Sequence, residues 1–173
     1  MMELEGKKVL TIIEDDFEDS ELIYPHYRMQ EAGADALIAG PVADKVYTGK
    51  NGVPVKSDAA FHEVEIKEFD AILVPGGWAP DKLRRYDAVL EMVKFMMNEQ
   101  RVVGQICHAG WVLVSADVLK ERTVTSTPGI KHDMMNAGAT WVDEPVTTDG
   151  NLISSRRPPD LPAYGRALVE AIR

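Results

Sequence analysis

The sequence holds one cysteine, Cys107, among 173 residues. A lone thiol closes no intrachain disulfide, so no disulfide framework is expected to brace the fold. There is no C-x-x-C pair, and the four histidines (His26, His62, His108, His132) never stand at ligand spacing in pairs, which argues against zinc. No metal and no cofactor is expected. No apolar run approaches the ~18 residues that a transmembrane helix needs, and no apolar stretch precedes the first predicted strand. No signal peptide is therefore read, and a cytoplasmic protein is expected. Positive charge is scarce: Lys and Arg number 19 against 28 Asp and Glu, a net charge of −9. A nucleic-acid binder needs a basic face for phosphates, and a membrane-surface helix needs basic residues too, so both classes are excluded. Ten prolines and 13 glycines supply turns without low complexity, and an apolar fraction of 45% with 27% charged residues excludes disorder.

What is present is an alternation of short apolar runs and helical patterns in a chain of ordinary single-domain length, residues 1–173. Lys7–Ile13 predicts a buried strand that ends at Glu14-Asp15-Asp16. Asp19 or Ser20 can cap a helix through Glu31 that Gly33 stops, with Pro25 placed early in it. Ala34–Ala39, Phe69–Val74, Val102–Ile106 and Arg122–Thr125 predict further strands. Helices are expected over Tyr86–Gln100, His108–Ser115, Pro128–Ala137 and Asp160–Arg173. Asn51-Gly52 and Asp149-Gly150 carry hairpin signals, the first on an edge hairpin or projection over 40–56. Strands alternating with helices imply an α/β fold with a mostly parallel sheet and helices on both faces.

In such sheets ligands bind beyond the carboxyl ends of the strands. Glu18 follows the first strand, Gly76-Gly77 the one ending at Val74, and Cys107-His108 the one ending at Ile106. A thiol between a strand and a helix has the layout of a nucleophile elbow, and a helix N-terminus would lower its pKa. Burial as an inert core cysteine fits the position equally. His108 is the nearest base for the thiol, although sequence neighbours do not face each other on a helix, and a capping or surface role is the alternative. Glu18 is the candidate carboxyl beside the thiol, or one of six acids in a solvated run from Glu14 to Glu21. Gly76-Gly77 can expose backbone N–H groups as an oxyanion hole, or form a plain turn. Phe17, Trp78, Trp111 and Trp141 are expected in the core or at an interface.

Together these pieces resemble a known family. Glu18, Glu21-Leu22-Ile23-Tyr24-Pro25, Val74-Pro75-Gly76-Gly77, Ala79-Pro80-Asp81, Ile106-Cys107-His108, Pro128-Gly129-Ile130-Lys131, Asn136-Ala137-Gly138 and Ser154-Ser155-Arg156 stand in the order and spacing of the PfpI group of the ThiJ/PfpI superfamily. The resemblance runs from about Lys8 to Arg173. It implies a flavodoxin-like three-layer sandwich with Cys107 on a strained elbow as nucleophile and His108 as its acid/base. It implies Glu18 as the carboxyl contacting the thiol, with the backbone N–H groups of Gly77 and His108 as the oxyanion hole. It places the third catalytic acid, Asp81, on a neighbouring subunit, and so implies a homo-oligomer, a dimer or trimer of dimers, whose sites are shared. Three positions depart from the family's usual residues: Asp81 stands for Glu, Ala109 for Gly and Thr127 for Tyr.

The resemblance implies a cysteine-dependent hydrolase, an intracellular peptidase or a glyoxalase/deglycase acting on methylglyoxal or its protein adducts, with a small carbonyl or peptide substrate. The alternative is a non-enzymatic redox-sensing stress protein working through oxidation of Cys107. A sensor needs only the thiol and a carboxyl, so the presence of His108 and Asp81 favours the enzyme. A binding module related to glutamine amidotransferases would have its histidine far along the chain, and the adjacent Cys107-His108 argues against it.

Overall fold

The computed structural model describes residues 1–173 throughout. Its centre is a seven-stranded sheet in the order β10-β11-β7-β6-β1-β2-β5. Those strands are β1 (Lys8–Ile12), β2 (Asp35–Gly40), β5 (Ala59–Ala60), β6 (Ala71–Val74), β7 (Val102–Ile106), β10 (Val146–Asp149) and β11 (Leu152–Ser155). All neighbours are parallel except β10 and β11, which form the hairpin signalled by Asp149-Gly150. Parallel strands are covered on both faces, which is why β6 and β7 are buried at every position instead of alternating with polar residues.

The period of two along each strand instead sorts side chains between two cores. Leu10, Ile12, Ile72, Val74 and Val103 belong to one cluster, with Val89, Val93 and Met96 of α3 (Asp87–Asn98) and Val112 and Leu113 of α4 (Gly110–Ser115). Val9, Ala71, Leu73, Val102 and Ile106 face the other way, against Met29 of α1 (Asp19–Glu31) and Tyr164, Leu168 and Ile172 of α6 (Leu161–Ile172). The result is the expected three-layer sandwich. Cys107 belongs to the second cluster, so its sulfur lies on the α1 and α6 side of the sheet.

Several local outcomes differ from the sequence reading. The N-cap of α1 is Glu18, whose carboxylate accepts from the Glu21 backbone N–H. Pro25 lies mid-helix, not in the first turn. Of the two alternatives for 40–56, the projection holds: β3 (Val46–Thr48) and β4 (Pro54–Lys56) form the expected hairpin as an antiparallel ribbon separate from the main sheet. A short helix, α2 (Ala79–Leu83), follows the Gly-Gly turn with Pro80 near its start, a signal the periodicity does not register in five residues. β8 (Thr123–Val124) and β9 (Thr140–Trp141) pair beside the main sheet, with α5 (Lys131–Asn136) between them. No helix is long and apolar enough to cross a membrane.

Gly104 lets α6 approach β7. A side-chain carbon built there would lie 2.6 Å from Tyr164 Oη and 2.8 Å from Leu168 Cδ2. Gly104→Ala is therefore expected to destabilise the fold by about 1–3 kcal/mol through overpacking, read as a lower urea midpoint with an unchanged m-value.

Candidate active site

The end of β7 turns sharply. Cys107 has φ 63°, a left-handed conformation that L side chains seldom adopt, and a single 3₁₀ turn over residues 107–109 leads into α4. The twist overcomes the rule that neighbouring side chains diverge: His108 Nδ1 stands 3.4 Å from Cys107 Sγ. Cys107 is buried and His108 half-buried.

The carboxyl that meets the thiol is Glu21, not Glu18. Glu18 is spent on the helix cap, where Oε2 accepts from the Glu21 backbone N–H at 3.0 Å and from the Ser20 hydroxyl. Glu21 lies three residues further along α1, on the inward stripe with Leu22, Pro25 and Met29, and is only 2% exposed. The Cys107 thiol and the Gly76 backbone N–H face its carboxyl, and Lys50 is the nearby positive charge. Burial, and then the nearby Glu18 charge, raise its pKa from the ordinary 4.5 to about 8. Gly76 keeps the space open, since a side chain there would strike Glu21 Oε1 and the Cys107 Cβ.

Burial likewise pushes the Cys107 thiol up, and the Glu21 charge adds to it, while the backbone N–H groups of His108 and Gly77 act in the opposite direction. Burial thus acts against the lowering expected from a helix N-terminus. The following helix has six residues and begins after the 3₁₀ turn, and it does not offset desolvation. The two amides expected to form an oxyanion hole do face the sulfur. Gly77 is held with φ 78° by a bridge to Phe17, where a side chain would collide with the backbone of Asp16, Phe17 and Glu18. Desolvation, and secondarily Lys50, lower the His108 pKa, so the imidazole is a free base at neutral pH.

The structure does not bring Asp81 to His108 within one chain. Asp81 is half-buried on α2, and its carboxylate accepts from Arg85 at 2.7 Å. Instead His108 lies between two indoles, with Trp78 and Trp111 ring centroids each 5.0 Å away. Trp111 Nε1 donates to Asp133 Oδ2 at 2.9 Å, and Trp78 is 55% exposed. Of the expected core aromatics, Phe17 is buried and Trp141 half-buried, but Trp78 and Trp111 wall the imidazole. Thr127 approaches through its backbone N–H, 3.3 Å from the Cys107 carbonyl oxygen. No group of three or more His, Cys, Asp or Glu side chains is placed to hold a metal ion. The largest surface hollow lies at the opposite end of β7, lined by Gln100, Val102, Asn151 and Glu170, far from this chemistry.

The arrangement has counterparts among known proteins. The sequence profile of the DJ-1/PfpI family matches residues 7–171. A deglycase of Pyrococcus abyssi is 47% identical over 166 residues, covering 96% of this chain and 99% of that protein. The PfpI deglycase of Pyrococcus furiosus is 45% identical over the same span. A two-domain protein of Anabaena variabilis, with DJ-1/ThiJ/PfpI-like and ferritin-like domains, superposes with a TM-score of 0.93 at 38% identity; the match covers 95% of this chain and 48% of that longer one.

The raised Glu21 pKa makes a stability prediction with a definite sign. The folded chain holds a proton on Glu21 that the unfolded chain releases near pH 4.5. Its contribution is complete below that pH and is lost as pH rises through about 8. Glu21→Gln carries no such proton, so wild-type stability is expected to fall relative to this variant by up to roughly 1.4 kcal/mol per pH unit across the window. Urea unfolding of both proteins at several pH values checks this.

Proposed function

The chain belongs to the DJ-1/PfpI family, and from that premise we propose that it is a thiol-dependent enzyme of the deglycase type. Its substrates on this reading are small α-oxoaldehydes such as methylglyoxal and their adducts. The observation that carries the proposal is the contact of Cys107 Sγ with His108 Nδ1 beside a buried carboxyl. At neutral pH the resting site holds a thiol, a neutral imidazole and a protonated Glu21. Transfer of the thiol proton to His108 Nδ1 creates the thiolate as substrate arrives. Glu21, through its O–H, and the amides of Gly77 and His108 stabilise that charge.

The sulfur then adds to the aldehyde carbon, and the carbonyl oxygen takes a proton. In an adduct, the amine or thiol on that carbon leaves with a proton as the C–S bond forms. His108 moves the remaining C–H proton to the adjacent ketone carbon through an ene-diol, which leaves a 2-hydroxyacyl thioester on Cys107. Water cleaves the thioester C–S bond, releasing the 2-hydroxy acid and restoring the thiol. Proton shuttling of this kind supplies about 10²–10⁴ in rate.

The third acid is assigned to Asp81 of a neighbouring subunit. Trp78 and Trp111 hold the imidazole within one chain, and no carboxylate of the same chain is bonded to it. Asp81 would exchange Arg85 for His108 when subunits associate. The redox-sensor alternative is disfavoured by the imidazole: His108 Nδ1 stands 3.4 Å from the sulfur, a base that a sensor does not need.

Lactate production from methylglyoxal tests the proposal. Wild type is expected to form lactate, Cys107→Ala none, and His108→Ala about 10²–10⁴-fold less. Equal lactate formation by Cys107→Ala and wild type would refute it. Asp81→Asn is expected to slow the assembled protein while leaving the unfolding free energy of the single chain within about 0.5 kcal/mol of wild type, since the Arg85 pair it breaks lies on the surface.

A further inference from the structure

The β3–β4 turn is strapped across the rim of the site. Asp19, buried at the start of α1, accepts from the Asn51 backbone N–H at Oδ1 and from the Val53 N–H at Oδ2, each 3.0 Å. The Lys50 N–H donates to the Phe17 carbonyl at 2.8 Å. The Asp16 N–H donates to the Thr48 carbonyl at 2.9 Å, and the Thr48 N–H to Asp15 Oδ1 at 2.9 Å. Gly49 has no side chain because one there would strike the Asp19 carboxylate. Phe17 in turn bridges to Gly77, whose amide faces the sulfur. Lys50 is thus fixed one backbone neighbour from the residue that pairs with the amide over Cys107.

The backbone of Lys50 is anchored, yet its side chain is exposed and engages no carboxylate. The other cations around the rim are already used. Lys82 Nζ pairs with Asp16 at 2.7 Å, and Arg85 pairs with Asp81. Arg84 donates to Ser115 Oγ at 2.8 Å and covers the Trp111 ring. The chain is otherwise acidic, with six carboxylates between Glu14 and Glu21. An approaching anion is repelled by this surface unless an unneutralised cation draws it in. Lys50 stands where such a cation is needed, its backbone bonded to Phe17, the residue that bridges to Gly77 beside the sulfur.

We infer that Lys50, held by the Asp19 strap, is a specificity-determining residue of the Cys107 site and selects carbonyl substrates that bear a carboxylate over neutral ones. The inference rests on the reading of Cys107 as the reacting group. An adduct of an α-oxoaldehyde with a free amino acid or with a chain-terminal residue has the required charge beside the reacting carbon.

Two matched pairs of reagents test it. Iodoacetate and iodoacetamide differ in charge and not in mechanism, since the sulfur displaces iodide from either. Cys107 is the single cysteine, so mass spectrometry reads its alkylation without competing sites. The iodoacetate-to-iodoacetamide rate ratio is expected to fall about fivefold in Lys50→Met and to be restored in Lys50→Arg, with the difference shrinking as salt is raised. An unchanged ratio in Lys50→Met would overturn the inference.

The second pair is the methylglyoxal hemithioacetals of N-acetylcysteine and of its amide, compared by the ratio of kcat/KM for lactate release. That ratio is expected to follow the alkylation ratio. Lactate formed from both at a ratio indifferent to Lys50 would sink the inference and leave the hydrolytic reading standing. A Lys50-dependent alkylation ratio with no lactate from either adduct would uphold anion selection at Cys107 and reject the deglycase reading.

Discussion

The site depends on a carboxyl and a thiol buried against each other where only one negative charge can be accommodated. Glu21 is buried, and its carboxyl meets the Cys107 thiol beside Gly76. Ionising either group disfavours ionising the other, so the pair keeps a proton that two separate groups would lose at neutral pH. Much of the local architecture serves this contact. The left-handed turn at Cys107 brings the sulfur toward α1, Gly76 leaves space for the carboxyl, and Glu18 caps the helix that carries Glu21. The amides of Gly77 and His108 are the donors that favour charge on the sulfur.

The same view explains which parts of the molecule are readable in the sequence. The strands are legible because parallel strands buried on two faces read as plain apolar runs, as Ala71–Val74 and Val102–Ile106 do. The Cys107-His108 elbow and the Gly76-Gly77 turn follow from their places at strand ends. Glu21 does not stand out in the sequence because six acids crowd one stretch, and position after the strand favours Glu18. The distinguishing signal is helical phase: Glu21, Pro25 and Met29 share a stripe, while Glu18 is the cap. The dipole argument at Cys107 assumes a helix of some length and a solvated sulfur, whereas the helix has six residues and the sulfur is buried. The indoles around His108 and the latch of the β3–β4 turn involve contacts between residues tens of positions apart, which no local pattern encodes.

Charge is distributed around this site with evident economy. Carboxylates outnumber cations over the whole chain, yet the rim cations are paired or stacked, with Lys50 left over. Asp81 is the counterpart among the acids: it is half-buried, and its bond to Arg85 is an (i, i+4) surface pair. Such pairs contribute little and exchange readily for a better partner. One chain therefore supplies the sulfur, the imidazole, the carboxyl and the amides, and on the proposed function the orienting acid comes from a neighbouring subunit.

The protonation state of Glu21 tests this account most directly. Infrared difference spectra between wild type and Glu21→Gln, recorded across the neutral range, report it without reference to any substrate. The account predicts a protonated carboxyl band in the wild type at pH 7 that converts to a carboxylate band near pH 8. A carboxylate band already complete at pH 7, with no protonated band to lose, would contradict it.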